Sequence, residues 1–170
     1  VGVIFFTDEV EMFIPPKKGR KHILFIIREI LGFQPKSKGT DIGNVLQYMT
    51  NALKKKCTTF LISDFIDAKD YKQPLKIANR KHDVVALQVY DRFSTNMKPV
   101  GLMKIYDPET DQDMWIDTSS KRVQTDYRNW WVSKQQYMFN TFKQSKVDSI
   151  SVSTDDDYVK SLLMLFQQRS

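Results

Sequence analysis

The chain has 170 residues, of which 41% are hydrophobic and 27% charged, and its formal net charge is +6. This length predicts one domain with a sizeable core, and no apolar run approaches the ~20 residues that a membrane span needs. A single cysteine, Cys57, excludes an internal disulfide and fits a reducing, cytoplasmic compartment. The N-terminus lacks the features of a signal peptide and enters a strand pattern directly. We therefore expect a chain that is truncated at its N-terminus.

The N-terminal third predicts a hairpin followed by two helices. Two β-rich runs, 3–6 and 11–14, flank a polar turn, and a proline pair ends the second run. Apolar residues at i, i+3, i+4, i+7 and i+8 then predict a helix from Ile23 to Leu31, which Gly32 ends. We expect Thr40 to cap a second helix. The apolar face of this second helix consists of Ile42, Val45, Leu46, Met49 and Leu53.

The middle of the chain alternates strand and helix patterns. The run 58–63 is continuously apolar, which predicts a strand that is buried on both faces of a parallel sheet. A helical pattern over 71–79 and a strand pattern over 84–90 follow. This alternation predicts an α/β fold, with a mostly parallel sheet flanked by helices.

The C-terminal half interrupts this order with a hairpin. The runs 100–106 and 112–117 flank the turn formers of 107–111 and predict an inserted β-hairpin at about 100–117. A long helix over 120–144, a strand over 147–152 and a last helix that begins near 155–157 follow. Since no linker composition divides the chain, we expect 1–170 to be one domain.

Two side chains with oxygen atoms are predicted to lie at the carboxyl edge of the sheet, where open α/β folds bind ligands. Thr40 lies at a predicted helix start, and Asp64 follows an apolar strand. A hydroxyl and a carboxylate suit Mg²⁺, which prefers hard oxygen ligands. The same residues are equally suited to capping a helix and forming a turn. Thr40 and Asp64 are therefore candidate metal ligands, with an ordinary structural role as the alternative.

Other features indicate binding or packing rather than catalysis. No nucleophile elbow, phosphate loop, dinucleotide fingerprint or pair of catalytic carboxylates is found, so we expect no enzyme. The basic clusters 17–21 and 54–56 are interpreted as solvated surface, with a nucleic-acid-binding patch as the alternative. His82 stands without metal-ligand spacing and is interpreted as structural. Of the adjacent Trp130 and Trp131, one must face away from the other.

Several segments, in a fixed order, resemble a known family. They are GVIFFTD (2–8), IPPKKG (14–19), GTDIG (39–43), LISDF (61–65), HDVVALQVYD (82–91) and IDTSS (116–120). This series resembles a von Willebrand factor A-like domain, and more narrowly the bacterial MoxR-associated branch called domain of unknown function 58. The resemblance implies a Rossmann-type sheet with strand order 3-2-1-4-5-6.

The resemblance also implies a metal-ion-dependent adhesion site, of which this chain holds a part. The family takes an Asp and two serines from an Asp-x-Ser-x-Ser loop, a Thr from a second loop and an Asp from a strand end. Only Thr40 and Asp64 carry over, and Phe65 stands where the family often has Gly. We therefore expect no cofactor for this chain alone, and Mg²⁺ or Mn²⁺ only in a full-length protein.

The function implied by the resemblance is non-enzymatic. It is a protein-interaction module that works with a MoxR-type ATPase in complex assembly or maturation, and metal matters only if the missing strand is supplied. The alternative is a basic nucleic-acid-binding module. Because the missing strand would be central, two strand edges would be left unpaired. In this chain alone, we expect these edges to close on each other or to pair in a homodimer.

Overall fold

A computed structural model describes residues 1–107 and 112–169 of the chain. The strands are β1 (Val3–Phe6), β2 (Val10–Ile14), β3 (Thr58–Ser63), β4 (Asp83–Tyr90), β5 (Leu102–Asp107), β6 (Gln112–Asp117) and β7 (Asp148–Ser153). The helices are α1 (Arg20–Gly32), α2 (Ile42–Ala52), α3 (Lys72–Lys81), α4 (Lys121–Ser145) and α5 (Tyr158–Gln168). The predicted elements are therefore all present in the described residues, with ends that shift by up to three residues.

A parallel three-stranded sheet is the centre of the fold. Its order is β3-β4-β7, and residues such as Leu61, Ala86 and Ser149 lie side by side across it. Parallel neighbours require crossover connections, and the helices between the strands supply them. One core cluster joins α2, α3 and α4 to this sheet through Leu46, Leu75 and Phe142. The predicted Rossmann-like α/β architecture is confirmed.

The hairpin of β1 and β2 forms a separate sheet. Val3 pairs with Ile14 in antiparallel register, and a bulge follows Phe5. Among residues 1–107 and 112–169, no backbone hydrogen bond joins β1 to β3. The expectation that the two edges close on each other is therefore wrong for this chain. The start of α2 contacts both the end of β1 and the loop after β3, as described below.

The inserted hairpin of β5 and β6 is confirmed. Met103 pairs with Ile116 and Lys104 pairs with Trp115 in antiparallel register, while the predicted turn residues 108–111 lie outside the described residues. Thr118 secures the hairpin base, because its hydroxyl donates to the Gly101 carbonyl at 2.7 Å. The hairpin is thereby fastened where it leaves the α/β body.

The prediction that β3 is buried on both faces is wrong. Leu61 is buried, but Phe60 is 41% exposed and Ile62 is 57% exposed. The physical reason is that the core cluster packs on the face of β3 that carries Leu61 and includes neither Phe60 nor Ile62. An apolar strand pattern shows that a strand is hydrophobic, but not which neighbours cover it.

The long helix α4 places its two tryptophans differently, as expected. Trp131 is buried, whereas Trp130 is 39% exposed. Lys146 then ends the helix in the left-handed conformation, at φ 54°. Among the described helices, none is both long enough and apolar enough to cross a bilayer.

Candidate binding edge at the start of α2

The start of α2 is capped by Asp41 and not by Thr40. The Asp41 Oδ1 accepts a hydrogen bond of 2.8 Å from the backbone N–H of Asn44, so the prediction for Thr40 is wrong. The reason is that helical geometry begins at Ile42, which places Asp41 at the position from which a side chain reaches the third helical N–H. Thr40 instead lies half-buried beside a cleft.

A buried carboxylate, Asp67, fastens the same helix start to the loop after β3. Its Oδ2 accepts from the Ile42 N–H at 2.8 Å, and its Oδ1 accepts from the Lys69 N–H at 2.8 Å. The side chain is nearly inaccessible, which strengthens both charge-assisted bonds. Sequence reasoning singled out Asp64 in this loop and missed Asp67, because the contact with Ile42 spans 25 residues.

The end of β1 is attached to the same point. The backbone N–H of Asp41 donates to the Thr7 carbonyl at 3.0 Å, and the side-chain Nδ2 of Asn44 donates to the Asp8 carbonyl at 3.0 Å. The first turn of α2 thus contacts the carboxyl end of β1 on one side and the loop after β3 on the other. The start of α2 therefore links the end of β1 to the loop after β3 at one edge of the fold.

The charges at this edge compensate one another. Burial acts to raise the pKa of Asp41, but the hydrogen bonds from the Lys69 ammonium and the Asn44 N–H outweigh it and hold the pKa below its usual value. The Lys69 Nζ lies 2.6 Å from Asp41 Oδ2, and this contact raises the pKa of Lys69. A hydrogen bond from Ser37 lowers the pKa of Asp8. These groups stay ionised near neutral pH, which suits binding and structure better than proton transfer.

The two candidate metal ligands lie in different surroundings, Thr40 half-buried beside a cleft and Asp64 in an exposed turn. Asp64 is exposed, and its Oδ1 accepts from the Ile66 N–H at 3.0 Å in a local turn. Within the described ranges, no group of three His, Cys, Asp or Glu side chains is placed to hold an ion. Asp41 and Asp67 are engaged with backbone N–H groups and Lys69. The metal site at Thr40 and Asp64 therefore stays a prediction.

Phe65 takes a backbone conformation that favours glycine. Its φ is 59°, in the left-handed region, which costs a residue with a Cβ about 1 kcal/mol or more. The ring is nevertheless buried, and it meets the Phe142 ring edge-on with 4.9 Å between centroids. Packing therefore offsets the backbone strain directly after Asp64.

A cleft separates β1 from β3 and opens beside the start of α2. Its volume is about 640 Å³. Apolar side chains from both strands and from the segment after α1 line it, and polar groups lie towards Thr40. The lining residues are Ile4, Phe5, Phe6, Thr7, Phe33, Pro35, Ser37, Lys38, Gly39, Thr40 and Ile62. We refer to this space as the strand cleft.

The inserted hairpin reaches the rim of the strand cleft. The Lys38 ammonium lies 4.4 Å from the centre of the Tyr106 ring on β5 and donates to the Tyr106 hydroxyl. Lys38 also lines the cleft. The hairpin is therefore tied to one wall of the strand cleft.

A second cleft lies at the opposite, amino end of the strands. It measures about 620 Å³ and contains Cys57 and His82. The Cys57 Sγ lies 3.4 Å from His82 Nδ1, but burial lowers the pKa of His82, so the imidazole is neutral near pH 7. A neutral imidazole does not stabilise a thiolate electrostatically. The structural interpretation of His82 is supported, since it is buried and ends α3.

Comparison with known proteins gives the family. The model of the family described as "Protein of unknown function DUF58" matches residues 1–137. The chain belongs to the DUF58 family. A relative from Mycobacterium tuberculosis, Uncharacterized protein Rv1480, is 20% identical over 99% of this chain and 54% of the relative. Uncharacterized protein MAV169 from Mycobacterium avium is 19% identical over 92% of this chain and 93% of the relative.

The DUF58 chain spans about half the length of the Mycobacterium tuberculosis relative. Two solved structures are similar in fold. The conserved hypothetical protein BatB from Bacteroides thetaiotaomicron superposes with a TM-score of 0.58, at 12% identity, over 98% of this chain and 77% of that one. An aerotolerance-related membrane protein from Bacteroides fragilis superposes with a TM-score of 0.59, at 12% identity, over 98% and 78%. At this identity the likeness concerns the fold alone.

Proposed function

We propose that this DUF58 chain is a non-enzymatic protein-interaction module that binds an extended segment of a partner in the strand cleft. The observation that carries the proposal is a pair of strand edges, one on β1 and one on β3, that face a common apolar cleft without pairing to each other. A strand edge offers a row of backbone donors and acceptors, and adding a strand is a recurring mode of peptide recognition.

The chemistry of the cleft supports an apolar, extended occupant. Ile4, Phe6 and Ile62 line the space, so alternate side chains of an added strand would contact hydrophobic surface. The backbone of the added strand would pair with both edges and would complete the order β2-β1-partner-β3-β4-β7. Such an occupant satisfies the backbone groups that are otherwise left to water in a half-buried cleft.

Two observations favour binding over catalysis. Hydrogen bonds from the Lys69 ammonium and the Asn44 N–H hold the pKa of Asp41 below its usual value, and the Asp67 carboxylate is engaged with the backbone N–H groups of Ile42 and Lys69. At the opposite end of the sheet, burial and the nearby Lys81 lower the pKa of His82, so the imidazole beside Cys57 is neutral near pH 7. A binding role requires neither kind of group.

We propose that the partner is a MoxR-type ATPase, that the pair acts in complex assembly or maturation, and that the protein works in the cytoplasm. These finer proposals rest on the resemblance to the MoxR-associated von Willebrand factor A-like branch. Metal enters only if the segment in the cleft brings further oxygen ligands to Thr40 and Asp64. Without that segment the protein does not depend on a metal ion.

The test is a binding measurement with a purified MoxR-type ATPase from the same organism. Ile62→Lys places a charge in the strand cleft, and Leu163→Lys is its matched control, because both side chains are 57% exposed and α5 lies outside the cleft lining. We expect the wild-type chain to bind and Ile62→Lys to weaken binding at least about tenfold, the equivalent of ~1.4 kcal/mol. Leu163→Lys should bind as the wild type does. An absence of binding, or an equal loss in both variants, would contradict the proposal.

A further inference from the structure

Helix α1 exposes most of its apolar side chains. The helix contains seven large apolar residues, and only Ile26 is buried. The other six are between 39% and 82% exposed: Ile23, Leu24, Phe25, Ile27, Ile30 and Leu31. Scattered exposed apolar residues are ordinary on a protein surface, but six within one 13-residue helix form a continuous feature.

Most of these residues lie on one side of the helix. At 3.6 residues per turn, Ile23, Ile27 and Ile30 fall in one row, and Leu24 and Leu31 fall in the row beside it. Lys21 and Arg28 lie together next to that second row. We refer to the exposed side as the α1 stripe, which consists of Ile23, Leu24, Ile27, Ile30 and Leu31. The stripe is therefore the apolar side of an amphipathic helix.

Exposed cations stand at both ends of the stripe. Lys17, Lys18, Arg20 and Lys21 precede or begin the helix, and Lys36 follows it. None of these five side chains forms an ion pair with any residue of 1–107 or 112–169. Glu29 is the single acidic residue between positions 15 and 38, and it pairs with Arg28. The start of the helix thus combines an uncovered apolar side with exposed cations, whereas Lys36 stands beside the Glu11 carboxylate, which accepts from the Lys36 N–H at 2.9 Å.

We propose that α1 docks on the surface of an anionic lipid bilayer. The helix would lie in the plane of the interface, with the stripe against the acyl boundary and the cations among the headgroups. Charge argues for this occupant over a second copy of the chain. Because Lys17, Lys18, Arg20 and Lys21 cluster at the start of the helix, parallel pairing of two copies would bring these like charges together. The proposal does not depend on the strand cleft or on its partner.

The chain contains its own control for the electrostatic part. Lys54, Lys55 and Lys56 are also three exposed lysines, but they follow α2, away from the stripe in sequence. The variant K17Q/K18Q/K21Q and the control K54Q/K55Q/K56Q therefore carry the same net charge. A cation near an anionic bilayer contributes about fivefold to partitioning, so three contribute roughly a hundredfold.

The experiment is flotation of the chain with vesicles of phosphatidylcholine alone or mixed with phosphatidylglycerol. We expect binding to the mixed vesicles at low salt, roughly a hundredfold weaker partitioning for K17Q/K18Q/K21Q, and little change for K54Q/K55Q/K56Q. For the apolar part, Leu24→Ser should weaken partitioning about tenfold, whereas Leu163→Ser on α5 should not. Leu24 and Leu163 are 55% and 57% exposed, so neither change should disturb folding.

Several results would overturn the proposal. Equal binding to both kinds of vesicle, or an equal loss in both triple variants, would show nonspecific adsorption. Sedimentation that shows a dimer, which Leu24→Ser dissociates, without vesicle binding would assign the stripe to a second copy. Binding to duplex DNA that only K17Q/K18Q/K21Q loses, again without vesicle binding, would assign the basic segment to nucleic acid.

Discussion

Removal of the Asp67 carboxylate tests how the binding edge is held together. In Asp67→Ala, the N–H groups of Ile42 and Lys69 each lose a charge-assisted acceptor at 2.8 Å. A hydrogen bond to a charged group contributes about 1.5 to 3 kcal/mol, and the Ile42 N–H would remain buried without a partner. We expect the free energy of unfolding to fall by about 3 to 5 kcal/mol, a large share of the ~5 to 15 kcal/mol typical of a domain.

Urea denaturation followed by circular dichroism measures this change, and Asp64→Ala is the control. The Asp64 carboxylate makes an exposed local bond to the Ile66 N–H, so its removal should cost less than about 1 kcal/mol. Asp67→Asn should fall between the two, at about 2 kcal/mol, because the amide keeps one acceptor and turns a donor towards the other N–H. If Asp67→Ala cost no more than Asp64→Ala, Asp67 would not be what fastens α2 to the loop after β3.

Three further predictions concern strain, pH and metal. Phe65→Gly should be about 1 kcal/mol more stable than Phe65→Ala in urea denaturation, because glycine relieves the strain of a φ of 59° and both variants lose the buried ring. If the two variants were equally stable, or Phe65→Ala were the more stable one, the backbone at position 65 would not be strained. Burial and the nearby Lys81 lower the pKa of His82 in the folded state, so the unfolded state binds more protons and the free energy of unfolding should fall as pH drops below ~6.5. His82→Gln should flatten that dependence in a pH series of urea titrations, and His22→Gln should retain it; the same slope in all three proteins would contradict the assignment. Calorimetry should show no micromolar binding of Mg²⁺ or Mn²⁺ to this chain, whereas binding that Asp64→Ala abolishes would show that Thr40 and Asp64 suffice.

Local patterns predicted the elements well, because their causes are local. The spacing of apolar residues correctly predicted α2 and its buried face. The turn formers near position 108 correctly predicted a hairpin of β5 and β6. The predicted membership of the DUF58 family is also confirmed, since the DUF58 model matches residues 1–137. These features depend on residues that are neighbours along the chain.

The parts that the sequence did not predict depend on distant contacts. The sequence predicted Thr40 as the N-cap of α2, whereas the structure has Asp41 there because helical geometry begins at Ile42. Composition does not resolve a difference of one residue. Asp67 fastens the start of α2 by accepting a hydrogen bond from the Ile42 N–H, which lies 25 positions away in the sequence. The exposure of Ile62 depends on which elements pack on that face of β3, and an apolar run does not specify them. Among the candidate site residues, Thr40 borders the strand cleft. Asp64 lies directly after β3, and its role as a metal ligand stays a prediction.

The central claim is that β1 and β3 present free edges to the strand cleft, and amide hydrogen exchange followed by NMR tests it most directly. In the chain alone, the amides of 3–6 and 58–63 that bond to β2 or β4 should be protected, and the alternate amides that face the cleft should exchange rapidly. Addition of the MoxR-type ATPase should slow exchange at the cleft-facing amides of both strands. Protection of all these amides in the free chain at low concentration would show that the edges are already paired, and would contradict the account.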